Sequence, residues 1–529
     1  MPDAWEQLSP YNVLLNTKAV EPRAYQINIS NRTASGRNFL VILPTGLGKT
    51  LIAAINMARV LYGGKRVLMV APTKPLSEQH YHTLSNLLNM DKDSILLLTG
   101  GIRAKERYAL EASARIIVAT PQTVANDMKK ARLDLSDFGL VVIDECHKAV
   151  GKYAYTYIAD ECKLNGVQVI GLTASPGSDK KKINKLVDTL GIQDIEIRTA
   201  IDPDVTPYVM DKYTEVIYVD MGSTVERITS MIKPVIEEHL AKLYGIGLSP
   251  FKKYDNLPKR RLLAIGDSIN RIEAKNYRFM ALFNYVYVLD MAHAYELAST
   301  EGLYPFLSYM ESLNEREKKS RAVNSMLSNP TIKGAMETAK EALDRGEEHP
   351  KMLTLVRVIR EKLNGKTAMV FAQYRSTIKR IVEMLNANGM KAYAFVGKRE
   401  GNTQAQQHEV VERFRRGEFN ILVATSIGEE GLDIPSVDAV VFYEPVPSEI
   451  RTIQRKGRAG RLKSGRTIIL VTRRTKDETY LYVSRMKEKR MKEIVESVRQ
   501  SLADKNLYND RGSNSMESLS MLSRLDSVW

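Results

Sequence analysis

Short apolar runs that do not alternate with polar residues set the tightest limit on what this chain can fold into. In the first 205 residues they read "NFLVILP", "RVLMVAP", "SILLLTG", "RIIVATP", "LVVIDE" and "VIGLTAS". Val, Ile and Leu dominate them, and stretches of helical pattern separate them. A strand buried on both faces, as in a parallel sheet covered by helices, reads this way. The same texture returns in "TAMVFAQY", "KAYAFVG", "NILVATS", "AVVFYEP" and "TIILVTR". Between the two sets, segments such as "RITSMIKPVIEEHLAKLYGIG" carry apolar residues three and four apart, the spacing of long amphipathic helices. The expected fold is α/β, with parallel-sheet domains over 1–205 and 349–475 and a helical insertion domain over 206–348 between them. A charged helix and a Ser-rich mobile tail are expected over 476–529.

Several runs end in small or polar residues, where the loops of an open α/β sheet carry ligand groups. One such end is Pro44-Thr45-Gly46-Leu47-Gly48-Lys49-Thr50, which follows a strand run and opens a helix. That is the context of a phosphate-binding loop. Gly46 and Gly48 let backbone N–H groups close on phosphate oxygens, and the helix N-terminus adds positive potential. Lys49 is placed to reach the β- and γ-phosphates, and the Thr50 hydroxyl to sit on magnesium. The strict form of the loop has glycine at position 43, where this chain has Leu43.

"LVVIDECHKAV" supplies acidic partners. A strand ending at Asp144 would deliver it beside the loop to hold magnesium, with Glu145 next to it to orient or deprotonate water. Cys146 and His147 are two adjacent candidates and do not make a tetrahedral metal site. Only two cysteines occur, Cys146 and Cys162, so neither a disulfide framework nor an all-cysteine zinc site is possible. A reducing cytoplasm is expected. The start lacks a secretory pattern, and no apolar run approaches the roughly 20 residues of a membrane span. The formal net charge of +15 favours a polyanionic partner, nucleic acid first.

"IDECH" resembles the DEAH-type box of superfamily two helicases in its DECH variant, and further motifs fall in that family's order. The resemblance implies two RecA-like domains, with ATP and Mg²⁺ as cofactors. "EPRAYQ" is similar to the adenine-reading segment, with Gln26 and Arg23 its contacts. "APTKPLSEQH" and "VATPQT" look like strand-gripping motifs, which carries nucleic-acid contact onto Pro72, Thr73, Lys74, Thr120, Pro121, Gln122 and Thr123. "LTASPG" resembles the coupling motif, with the Thr173 and Ser175 hydroxyls expected to hydrogen-bond the catalytic acids.

In the second lobe "VFAQYRST" and "LVATSIGEEGLDIPSVD" are similar to further family motifs. They imply nucleic-acid contact by Gln373 and Thr425, and place Gly431 and Asp433 near the nucleotide sugar. "IQRKGRAGR" resembles the arginine-finger motif, in which Gln454 positions water and Arg458 and Arg461 face the γ-phosphate across the cleft. Arg455, Arg458 and Arg461 would share one face of a helix.

Closer likeness is to the archaeal Hef and FANCM family, in "PTGLGKT", "APTKPL", "DECHKA", "GLTASPGS", "GEEGLDIP" and "QRKGRAGR". It implies ATP-driven remodelling of forked or four-way DNA, moving 3′ to 5′, in repair and stalled-fork processing. A sliding clamp or a separate nuclease are the protein partners it suggests. Full-length Hef continues into a nuclease; this chain ends soon after the second lobe, and no DNA cleavage is expected. Basic clusters of the inserted block, Lys252, Lys253, Lys259, Arg260 and Arg261, are candidate phosphate contacts. Two other readings remain open. One is a double-stranded RNA-dependent ATPase of the RIG-I-like or Dicer type. The other is a non-hydrolysing DNA-binding scaffold.

Overall fold

The computed structural model describes residues 5–100, 110–111, 113–151, 153–199, 202–208, 214–255, 257, 259–396, 404–425, 435, 437–446 and 465–525; the side chains of 404, 405 and 505–525 are left out. Among the described residues the first sheet has seven parallel strands in the order β3-β4-β2-β5-β6-β1-β7. These are β1 (Phe39–Ile42), β2 (Arg66–Val70), β3 (Ile95–Leu98), β4 (Ile116–Ala119), β5 (Phe138–Ile143), β6 (Gln168–Thr173) and β7 (Asp194–Ile197). The residues of β1 and β4 are buried throughout, as the runs without alternation require.

The second sheet, among the described residues, has six parallel strands in the order β10-β11-β9-β12-β13-β8. Five come from the expected runs: β9 (Ala368–Phe371), β10 (Ala392–Phe395), β11 (Ile421–Ala424), β12 (Ala439–Phe442) and β13 (Arg466–Thr472). The sixth, β8 (Thr214–Val219), lies in the segment expected to open the helical block. It pairs along β13 instead, Thr214 opposite Thr467 through Val219 opposite Thr472. The helical block therefore begins after it, at the helix Ser223–Gly245.

The block contains the helices Ser223–Gly245, Lys259–Ile269, Lys275–Glu296, Leu303–Asn314, Arg321–Ser328 and Pro330–Asp344. Ile228, Ile232, Ile236 and Leu240 form one stripe of the first helix and enter a core with Tyr287, Met291 and Phe306. Ser320 and Asn329 cap the last two helices by accepting backbone N–H groups.

A buried polar joint fixes the block to the second sheet domain. Lys351 Nζ donates to Asp477 Oδ2 at 2.6 Å and to Thr300 O at 2.7 Å. Thr377 donates to Glu301 at 2.9 Å, and Tyr443 OH to the Glu301 carbonyl at 3.0 Å.

The C-terminal helix, Lys476–Leu525, includes the Ser-rich stretch assigned above to a mobile tail. It starts against β13 and reaches the first domain, where Met491, Ile494, Val495 and Val498 join the core around Ile183 and Leu186. This helix spans from one sheet domain to the other. Among the described residues no helix is long and apolar enough to cross a membrane.

Candidate nucleotide and nucleic-acid site

Strand order assembles the site. β6 lies between β5 and β1, so the ends of these three strands stand side by side. Ile42 is level with Thr173, and Ile143 with Gly171. Leu43 N–H donates to the Thr173 carbonyl at 3.1 Å, and Asp144 N–H to the Val70 carbonyl at 2.9 Å. The phosphate loop, the acidic pair and the motif that begins at Thr173 thus share one edge of the sheet, where open α/β sheets bind ligands.

In the loop Gly46 (φ 86°) and Gly48 (φ 76°) are left-handed, which glycine adopts without strain. A Cβ on Gly48 would stand 2.3 Å from Gln26 Nε2. Helix α1 (Ala24–Thr33) closes on the loop: Tyr25 OH and Gln26 Nε2 donate to the Leu47 carbonyl at 2.7 and 3.1 Å, and Gln26 Oε1 accepts Arg23 N–H at 2.8 Å. The Gln26 carboxamide, expected at the adenine, is here turned onto the loop backbone. Arg23 stacks over the Tyr208 ring at 5.3 Å. Helix α2 (Lys49–Tyr62) starts from the loop, and Lys49 Nζ donates to the Leu43 carbonyl at 3.0 Å, folded back across it.

Asp144 directly follows β5 and is almost fully buried. His80, from helix α3 (Lys74–Leu87), places Nε2 2.8 Å from Asp144 Oδ2. Burial pushes the Asp144 carboxyl up; the hydrogen bond and charge of His80, with Lys49, outweigh it and hold the group below its usual value. Glu145 is non-glycine at φ 48°, a conformation that costs about 1–3 kcal/mol and persists where surroundings enforce it. Among the described residues its buried Oε2 makes no hydrogen bond, and it lies 3.2 Å from His147 Nδ1 as an ion-pair neighbour. His147 Nδ1 lies 3.1 Å from Thr173 Oγ1.

The expectation that Thr173 and Ser175 bond the acids directly is corrected on two counts. Among the described residues Thr173 meets Glu145 through His147. Ser175 Oγ donates to Met491 Sδ of the C-terminal helix at 2.8 Å and accepts Gly177 N–H. Cys146 is buried, and burial with the neighbouring carboxylates raises its thiol well above the usual range, so it is inert.

Magnesium and a triphosphate fit this edge. The loop offers backbone N–H groups, Lys49 and the Thr50 hydroxyl; across from it stand a carboxylate held ionised and a Glu145 oxygen that accepts no hydrogen bond among the described residues.

The two motifs expected to grip a strand begin helices. Thr73 accepts Leu76 N–H at 3.4 Å as the cap of α3, and Thr120 precedes the helix Pro121–Lys129 with Pro121 in its first turn. These helices follow β2 and β4, which are neighbours, so two positive helix ends lie side by side. Pro72 is half-buried, Lys74 and Gln122 are exposed, and Pro121 and Thr123 turn inward. Gln373 follows β9 and is exposed; Thr425 follows the adjacent β11. Lys252, Lys253, Lys259, Arg260 and Arg261 are exposed on the helical block. Gly431, Asp433, Gln454, Arg458 and Arg461 lie outside the described residues.

Sequence reasoning missed His80 as a partner of Asp144, a contact between residues 64 apart that no local pattern announces. It also missed the apolar tip Phe279, Met280 and Leu282, exposed beside Lys275 and Arg278.

Family models match in the same order. A DEAD/DEAH box helicase model covers residues 23–183, a helical bundle of putative ATP-dependent RNA helicases 224–346, and a helicase conserved C-terminal domain 350–463. A putative ATP-dependent RNA helicase of Methanocaldococcus jannaschii is 36% identical over 495 residues, 92% of this chain and 62% of the relative. An ATP-dependent DNA helicase of Neurospora crassa is 31% identical over 491 residues, 87% of this chain and 41% of the relative. The chain thus spans less than two thirds of these relatives. The crystal structure of the Pyrococcus furiosus Hef helicase domain is 42% identical, with a TM-score of 0.70 over 89% of this chain and 100% of that one.

Proposed function

Because this chain belongs to the Hef/FANCM family of superfamily two helicases, we propose that it hydrolyses ATP to move along DNA and open forked or four-way substrates, 3′ to 5′, in repair and stalled-fork processing. The observation that carries this reading is the single sheet edge shared by the phosphate loop, Asp144–Glu145 and Thr173. When bound, magnesium supplies charge neutralisation at the phosphates. Asp144 and Thr50 would hold it. The Gly46–Thr50 backbone and Lys49 orient the triphosphate, and Glu145 takes a proton from the attacking water. By the family resemblance Arg458 and Arg461 would meet the γ-phosphate, Gln454 would orient water, and Gly431 and Asp433 would serve the sugar.

Hydrolysis must then change something in the nucleic-acid grip. The Glu145–His147–Thr173 contacts lead from the attacking water towards Ser175 and the C-terminal helix, which itself begins on the second domain. Pro72, Thr73, Lys74, Thr120, Gln122, Gln373 and Thr425 are the proposed backbone contacts, and the basic face of the helical block meets the branch.

The RNA helicase wording of the helical-bundle model and of the Methanocaldococcus relative's name supports a second reading, an RNA-dependent ATPase. The test is strand separation of a labelled fork with ATP and magnesium. The intact protein should open the fork. Lys49→Ala should bind it with similar affinity and leave it closed. Loss of fork binding along with hydrolysis in Lys49→Ala would count against the assignment, because the proposed DNA grip lies elsewhere.

A further inference from the structure

We infer that His80 is a positioning residue for the magnesium-holding carboxylate, and that it ties that carboxylate to the nucleic-acid-gripping helix. The inference rests on the ATP-site reading above and adds to it a residue outside the phosphate loop and the acidic box.

The contact is short and dry. His80 is 6% exposed and Asp144 5%, and the 2.8 Å separation from Nε2 to Oδ2 requires that Nε2–H donate to the carboxylate. This fixes one oxygen of Asp144 and leaves the other for the metal or its water. The backbone of Asp144 is held as firmly, with Tyr155 OH donating to its carbonyl at 2.8 Å. A hydrogen-bonded neighbour of a metal-holding carboxylate sets its orientation and its basicity.

The element that carries His80 gives the contact a second meaning. Helix α3 begins at Thr73 and Lys74, the proposed strand contacts, and His80 lies six residues beyond Lys74, about 9 Å along the axis. Ser77 and Leu84, on either side of His80 along the helix, are also buried, so α3 sits on the sheet as a stiff lever. Its other face, with His82 and Thr83, looks across a cleft of about 490 Å³ at His408, Val411 and Glu412 of the second domain. A displacement of α3, whether by strand engagement or by closure of this cleft, is transmitted by the imidazole to Asp144. Nucleic acid thereby acts on magnesium retention through a single side chain.

The experiment measures magnesium-dependent binding of a fluorescent ATP analogue, with and without forked DNA, to the intact chain and to His80→Ala, His80→Leu and His80→Gln. The magnesium concentration at half-saturation should rise roughly 10- to 100-fold in His80→Ala and His80→Leu, the usual cost of removing such a partner. In His80→Gln, whose amide N–H reaches the same oxygen, it should stay within about 3-fold of the parent, a rescue that packing alone would not give. Forked DNA should lower the half-saturating magnesium of the parent and leave that of His80→Ala unmoved. Should His80→Ala fail to fold, His80→Leu fills the space and carries the comparison. Parent-like magnesium dependence in the folded Ala or Leu variant overturns the inference alone. Absence of magnesium-dependent nucleotide binding in the parent overturns the ATP-site reading and this inference with it.

Discussion

Replacing Lys351 by methionine should loosen the helical block from the second sheet domain. Lys351 is fully buried, its ammonium 2.6 Å from Asp477 Oδ2 and 2.7 Å from the Thr300 carbonyl. Asp477 also accepts Thr472 N–H at 2.9 Å, and the carboxyl of Glu301 is buried close by. Methionine keeps the length and apolar stem of lysine, so packing changes little. What is lost is the only cation the two acids share among the described contacts. Removing one partner of a buried pair costs about 3–5 kcal/mol, because the other is left charged in a dry site. The local assay is native-state hydrogen exchange across 303–314 and 375–387, which flank the joint. The opening free energy there should fall by about 3–5 kcal/mol. Adding Asp477→Asn should recover most of it, since the stranded charge is gone. ATP binding should persist while fork-stimulated turnover falls. A single-variant loss below about 1 kcal/mol, or a double variant as weak as the sum of the singles, would refute the reasoning.

Gly48→Ala should cost about 1–2 kcal/mol from the left-handed backbone alone and drive Gln26 off the Leu47 carbonyl, weakening nucleotide affinity at least about tenfold in a fluorescence titration. Arg458→Ala should bind ATP normally and lose about 10³-fold in turnover, read by single-turnover hydrolysis. Burial raises Glu301 from its ordinary 4.5 to about 7, so its contribution to stability is full below pH 4.5 and lost as pH rises through 7. Burial, then Lys351, lowers His349 from 6.5 to about 3, so its contribution is full above pH 6.5 and lost as pH falls towards 3. Between pH 4.5 and 6.5 the two slopes oppose each other. Glu301→Gln should expose the rising limb of His349 there and gain stability over the parent at pH 8, checked by urea unfolding at pH 5, 6.5 and 8.

The sequence exposed most of both sheets because strands buried on two faces need no pattern beyond continuous Val, Ile and Leu. β7 escaped this reading. Its Asp194 and Glu196 look like loop residues, yet Arg32 and Arg198 pair with Glu196 in the fold, which makes a buried acid tolerable at the end of the sheet. β8 was hidden by distance, since its partner β13 lies some 250 residues later. The phosphate loop and the acidic box were legible because their chemistry is local. The His80–Asp144 contact was not, because only the fold brings α3 to the end of β5. The C-terminal segment reads as a charged helix, although Met491, Ile494, Val495 and Val498 already stand at helical spacing. Knowing what that stripe covers required the first domain's surface, and with it the contact between Met491 and Ser175.

Steady-state ATP hydrolysis by the intact chain, measured with no polymer, forked DNA, a four-way junction, blunt duplex DNA and duplex RNA, tests the proposed motor most directly. Strongest stimulation by the fork or the junction, with little from duplex RNA, is the predicted result. Strongest stimulation by duplex RNA, or no hydrolysis with any of the polymers, would contradict a branched-DNA motor.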